Sequence, residues 1–361
     1  MKALVTGANG LIGANLLREL LREGVAAAGL VRATADLSSI AALPIELATG
    51  DVLDPASLAA AMAGRDMVFH TAVAFSYWGH DPAEMARTAV EGSLNVLAAA
   101  AAAGVRRVVM TSSSVTLGAS YRREVRDETF SAQDDPDESA YVLAKIAQER
   151  EALAVAKRLG LEIVFACPTM SVGPFGASLG PSNGILTSYL ADPLRMTWEG
   201  GCNIVSVRDV AAGHLILARR GAAGERYVLG SENLDWRDIH GLVAELAGVA
   251  APRTTASAVV CYGLAAAEEL RARLTGKAPL ATRAQARMVG RYYWYGHDRA
   301  GALGYRPRPA RVALAEALAW LSPSQHVARE TRVGMRLARE VHAARRATSL
   351  DEARLSAGAA A

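Results

Sequence analysis

Val5-Thr6-Gly7-Ala8-Asn9-Gly10-Leu11-Ile12-Gly13 carries a short apolar run into a helical stretch, with glycines three residues apart. Glycine takes positive φ without a steric penalty, and a helix N-terminus offers N–H groups and a dipole to an approaching pyrophosphate. The spacing is GxxGxxG rather than the GxGxxG of the general dinucleotide fingerprint. A tight strand-to-helix turn would also explain lone glycines, so the context decides. Short apolar runs at residues 2–6, 25–31, 45–48, 67–70, 107–111 and 162–166 alternate with alanine- and leucine-rich helical stretches beginning near Leu11, Pro55, Pro82 and Ser139. That rhythm predicts βαβ units, a parallel sheet covered on both faces, and a nucleotide site at the first turn.

The 361 residues leave room for more than one domain, and 51% apolar with 21% charged residues is a globular composition. Cys167, Cys202 and Cys261 are scattered and contain no CxxC, which excludes a disulfide framework and suits a reducing compartment. A net charge of +3 does not argue for nucleic acid. The alanine run at residues 98–103 is bounded by Asn95 and by Arg106 and Arg107, short of a membrane span. Glycines and Asn9 break the first apolar run too early for a signal peptide, so the expectation is a soluble cytoplasmic protein beginning at its first strand. The histidines show no HExxH or comparable spacing, and no metal is expected.

After Cys167 the rhythm gives way to a loop rich in Gly, Pro and Ser over residues 168–184. The expected organisation is a Rossmann-type doubly wound α/β domain over residues 1–167, with residues 203–230 returning to it. Residues 168–202 and 231–321 would form a smaller interleaved substrate lobe. Residues 322–361 read as a basic helical tail carrying Arg329, Arg332, Arg336, Arg339, Arg345 and Arg346. Packing on its own domain is the favoured role for this tail, ahead of a membrane-surface or partner contact.

An NAD site would place a carboxylate at the end of the second strand, for the ribose hydroxyls. This chain has Arg32 there and no acid before Asp36. A guanidinium pairs with a 2′-phosphate, so NADP(H) is favoured over NAD(H), with an exposed arginine beside bound NAD as the competing reading. Asp51, after the third strand, is placed to reach the adenine amino group or else to shape a loop turn. Tyr141 and Lys145 stand four residues apart and therefore on one helix face. A nearby ammonium would favour the phenolate and let the tyrosine exchange a proton near neutral pH. Upstream, Thr111-Ser112-Ser113-Ser114 ends a strand, at the sheet edge where such folds bind ligands.

These features together resemble the extended short-chain dehydrogenase/reductase family, that is, the NAD-dependent epimerase/dehydratase family. The resemblance rests on TGxxGxxG at Thr6 to Gly13, GDVLD at Gly50 to Asp54, the serine run and YxxxK, and it extends to about Leu321. The sequence is most similar to the dihydroflavonol-4-reductase-like and hopanoid-associated sugar epimerase group, through Phe69-His70-Thr71-Ala72, Val90 to Leu97, Val207 to Ala211, and Leu303-Gly304-Tyr305-Arg306-Pro307. It implies Tyr141 as acid/base, Lys145 as its partner and nicotinamide-ribose ligand, and Ser113 as the catalytic hydroxyl, with Ser112 and Ser114 as fallback choices. It further implies cofactor contacts from Gly7, Gly10, Leu11, Ile12, Gly13, Arg32, Asp51, Val52, Thr71, Ala72, Pro168 and Met170. Ala89 departs from the family, where many members carry asparagine.

The expected reaction is reduction of a ketone or aldehyde to an alcohol by NADP(H). Phe75, Tyr77 and Trp78 are candidates for an apolar substrate wall, and Tyr292-Tyr293-Trp294-Tyr295 is a denser aromatic patch that packing of the second lobe would equally explain. An NAD-dependent nucleotide-sugar epimerase or dehydratase would use the same triad and need diphosphate ligands such as Arg195, Arg208 or Arg283. A non-catalytic NADP(H) sensor is the third possibility. The resemblance also suggests a homodimer through residues 82–103 and 139–159.

Overall fold

Successive residues of a strand face opposite ways, so a strand that is apolar throughout needs cover on both sides. The computed structural model describes residues 1–72, 82–133, 138–277, 279 and 281–357. Its main sheet contains β1 (Lys2–Thr6), β2 (Ala26–Val31), β3 (Glu46–Thr49), β4 (Met67–His70), β5 (Arg107–Thr111), β6 (Glu162–Pro168) and β10 (Arg226–Leu229). They run in the order β10-β6-β5-β4-β1-β2-β3, all parallel. Ala3, Val5, Val109, Val164 and Ala166 pack on the side of α1 (Leu11–Arg22) and α6 (Val207–Arg220). Their neighbours Leu4, Val108, Met110, Ile163 and Phe165 pack on the side of α2 (Pro55–Met62), α3 (Pro82–Ala102) and α4 (Ala140–Leu159). The protein is thus a doubly wound Rossmann-type α/β fold. Its strand order reverses between β1 and β4, which opens a crevice at their carboxyl ends.

The return to this sheet after residue 203 is narrower than the sequence suggests. Only β10 joins it, beside β6, while β9 (Gly201–Ser206) belongs to a second sheet with β11 (Glu232–Asp235), β13 (Tyr292–Tyr293) and β7 (Met170–Val172). The reason is tertiary: Asn203 bonds Asn233, Tyr295 O and Thr169, which ties β9 to the second lobe. There α5 (Pro181–Ala191), α7 (Trp236–Ala247) and α11 (Ala310–Leu321) enclose a separate core. A two-stranded sheet of β8 (Met196–Trp198) and β12 (Thr254–Ala256), with α8 (Ala258–Thr275) and α9 (Arg283–Ala286), completes the lobe, while α10 (Asp298–Ala302) packs through Ala300 on β10 of the main sheet.

The tail forms α12 (Arg329–Val333) and α13 (Arg339–Ala357). Its acids, rather than its arginines, make the principal ties to the first domain. Glu352 takes two 2.6 Å bonds from the buried Arg18 guanidinium, and Asp351 pairs with Arg22. Arg345 bonds Ser322 and Val341 is fully buried, so α13 packs on its own chain.

Three buried histidines are held neutral. Burial pushes His70 down to about 3, and His214 and His240 down to about 4. In the unfolded chain they take up protons near pH 6.5, so their support is complete above that value and is lost as pH falls toward 4. Each should cost about 2 kcal/mol of stability by pH 5. A urea midpoint unchanged between pH 7 and pH 5 would contradict this.

Candidate active site

The glycine turn is dictated by close approach. Gly7 has φ of +68°, and a Cβ there would lie 2.8 Å from the Ala72 backbone; one at Gly13 would lie 2.2 Å from the Gly7 carbonyl oxygen. Gly10 donates to that carbonyl at 3.0 Å and begins α1 with no side-chain cap, so the first-turn N–H groups of Leu11, Ile12 and Gly13 suit an anion. Thr71 donates to Thr6 O through its N–H (3.3 Å) and its hydroxyl (2.8 Å), which lays Thr71 and Ala72 against the turn. Arg32 follows β2 and is exposed. Its loop is tied to the turn by Asn9 Nδ2 donating to Asp36 O and by Ser39 donating to Asn9 O. Asp51 stands after β3 and accepts from Leu53 N at 2.9 Å, a local turn bond, while Val52 O accepts from Asn95. Pro168 ends β6 and Met170 begins β7, farther along the same edge.

β5 delivers the serines to this edge, and three partners separate their roles. Ser112 donates to Glu149 and Ser113 bonds the Tyr141 phenol, while Ser114 is buried near the Tyr295 hydroxyl. Ser139 caps α4 by accepting from Val142 N, which makes Tyr141 the second residue of the helix. Burial pushes the phenol above its ordinary range, and the Ser113 hydrogen bond offsets part of the rise. This is opposite to the direction expected from the YxxxK spacing. The Lys145 ammonium donates instead to Thr111 O (3.2 Å) and to Gln148 Oε1 (2.9 Å). Burial lowers Lys145 to about 8, against the opposing charge of Glu149.

Behind the lysine runs a buried polar chain that sequence reasoning did not anticipate. Gln148 Nε2 donates to Ser93 Oγ (2.6 Å) and Ala89 O (3.1 Å), and Ser93 donates to Ala89 O (2.8 Å). His70 links Ser93 (3.0 Å) to Thr6 (2.8 Å), whose hydroxyl also receives Ala72 N. With the Ser93 proton given to Ala89, His70 carries its own on Nε2 and accepts from Thr6 at Nδ1. The chain therefore joins Lys145 to the glycine turn. At Ala89 the backbone carbonyl accepts two of these bonds, and the sequence signal was Gln148 standing three residues after Lys145.

Phe75, Tyr77 and Trp78 lie outside the described residues. The Tyr292 to Tyr295 run packs against the loop after Ser113: Tyr292 O accepts from Ser120 N, and Tyr295 Oη donates to Gly118 O at 2.9 Å. Of the arginines that a diphosphate would need, Arg195 donates to the Tyr189 and Leu190 carbonyls, Arg208 to Thr348, and Arg283 pairs with Glu269. Among the described residues, no group of three His, Cys, Asp or Glu side chains could hold a metal ion.

The NAD dependent epimerase/dehydratase family matches residues 3–230. A putative dihydroflavonol 4-reductase from Synechocystis sp. is 32% identical over 328 residues, covering 90% of this chain and 95% of that protein. Cinnamoyl-CoA reductase 1 from Oryza sativa subsp. japonica is 37% identical over 241 residues, 62% of this chain and 69% of its own. A solved structure described as gox2253 is similar with a TM-score of 0.79 and 35% identity, covering 90% and 99% of the two chains. The match over more than half the chain, on a doubly wound sheet with its glycine turn at the strand-order reversal, shows that this chain belongs to the NAD dependent epimerase/dehydratase family, as an NAD(P)-dependent oxidoreductase of the extended short-chain dehydrogenase/reductase type.

Proposed function

We propose that the protein reduces an apolar ketone or aldehyde to an alcohol with NADPH. The observation that carries this reading is the Ser113 to Tyr141 hydrogen bond at the carboxyl edge of the sheet, with the Lys145 ammonium one helical turn behind it. The uncapped start of α1 fits a pyrophosphate, and the nicotinamide, when bound, supplies the hydride. Ser113 holds the substrate carbonyl oxygen and Tyr141 donates its phenolic proton to that oxygen. Lys145 holds the phenolate that remains, while Thr111 and Gln148 fix the ammonium. The engagement of Arg195, Arg208 and Arg283 within the chain supports a reductase over a nucleotide-sugar epimerase.

The test is to follow NADPH absorbance on adding aromatic and aliphatic ketones to the purified protein, and to assay its cofactor content. NADPH consumption supports the reading, whereas tightly held NAD with no net consumption overturns it in favour of an epimerase. Arg32 would pair with the 2′-phosphate. Arg32→Ser should therefore raise the Kd for NADPH by about ten- to a hundredfold and leave that for NADH nearly unchanged. Equal effects on both cofactors in fluorescence titrations would remove Arg32 from the site.

A further inference from the structure

α8 presents its apolar side to solvent. Val259 (82% exposed), Leu274 (79%), Leu270 (59%) and Val260 (50%) fall, with Gly263 and Ala267, within about 100° of arc, and Leu264 (50%) adjoins them. The opposite face holds the helix to the lobe through the buried Ala265 and Ala272 and through Glu269, which accepts from Arg283 N–H (2.7 Å) and Nε (2.8 Å). The large aliphatic side chains of α8 thus lie on its solvent side and the small Ala265 and Ala272 on its inner side. So many large aliphatic side chains exposed on one helix mark a contact surface.

Charge identifies what covers it. Residues 253–291 carry seven basic side chains against two acidic ones, Glu268 and Glu269. Glu268 is paired with Arg271 and Glu269 with Arg283. Exposed Arg273 and Lys277 lie near the stripe, and Arg287 lines a groove of about 410 Å³ whose walls include Val259, Tyr262, Val289 and Tyr121. A symmetric contact with a second copy would set this basic rim against itself, since such an interface places the same patch on both sides. An anionic lipid surface would accept the aliphatic stripe into its acyl boundary and the cations among its headgroups. No helix among the described residues is long and apolar enough to cross a membrane, which leaves contact in the interfacial plane.

The geometry points to α8 as an interfacial helix that docks the protein on an anionic bilayer through Val259, Leu270 and Leu274, flanked by Arg273 and Lys277. The groove beside Val259 then opens at the lipid surface. The inference does not depend on the proposed reaction.

The test is co-flotation of the full chain with vesicles of phosphatidylcholine alone or with about one third phosphatidylglycerol. The parent should float with the anionic vesicles, less at high salt, and hardly with the neutral ones. Val259→Ser, Leu270→Ser and Leu274→Ser combined should lower the bound fraction about tenfold, as loss of buried apolar area requires. Arg273→Glu with Lys277→Glu should do the same, and NADPH binding should match the parent in both variants. Absence of flotation with anionic vesicles overturns the proposal, as does unchanged flotation of both variants. It also fails if sedimentation shows a parent dimer that the serine variant converts to monomer without any vesicle binding, because α8 would then join two copies.

Discussion

Tyr141→Phe is expected to lower kcat for carbonyl reduction by about a thousandfold, within the range that positioned proton transfer contributes. The phenyl ring keeps the place of the parent ring on α4, so NADPH should bind within about twofold of the parent. What is removed is the proton donor, together with the bond to Ser113. Alkaline pH should weaken the parent through a different group. Lys145 titrates at about 8, and above that value the phenolate loses its cation, so kcat should decline as pH rises past 8. Stopped-flow measurement of NADPH oxidation in a single turnover separates the chemical step from product release. A Tyr141→Phe enzyme that reduces its substrate at the parental rate would show that another group supplies the proton.

Deleting the residues after Pro323 is expected to destabilise the chain by about 5 kcal/mol or more, enough to leave a domain of ordinary stability partly unfolded. One contribution comes from Arg18, whose side chain is 3% exposed and lies 3.5 Å over the Phe175 ring. Losing one partner of a pair that stays buried costs about 3–5 kcal/mol, and this is an upper bound here because the truncation also opens Arg18 to water. Removal of Val327, Met335 and Val341 from the second core adds about 1.5–3 kcal/mol for each side chain. Glu352→Gln is a graded control, since it retains one acceptor and removes the charge. Thermal and urea denaturation of the two variants check the ordering, and a truncated chain as stable as the parent would make the tail an appendage.

Much of the fold was legible because its signals are local. A glycine turn, apolar runs that alternate with helical stretches, and caps such as Ser139 all act over a few residues, so the parallel sheet and most strand positions follow from them directly. The shift of β3 to Glu46–Thr49 is the ordinary uncertainty of an element end. The placement of β9 was not legible, since its apolar run suits either sheet and the choice depends on Asn203 meeting partners as far away as Tyr295.

The sequence by itself determined that a phenol and an ammonium share a helix face beyond the end of β5, because helical periodicity alone imposes it. It also determined the glycine turn, where the Gly13 position leaves no room for a side chain. Only the tertiary structure decided which serine meets Tyr141, since Ser112 is drawn off by Glu149 and Ser114 is buried away toward Tyr295. The same holds for the chain from Lys145 through Gln148, Ser93 and His70 to Thr6, and for the ties of the tail to Arg18 and Arg22. Such contacts join residues up to 334 positions apart. A buried polar group must find its partner wherever the folded chain brings one, and no periodicity in the sequence encodes that meeting.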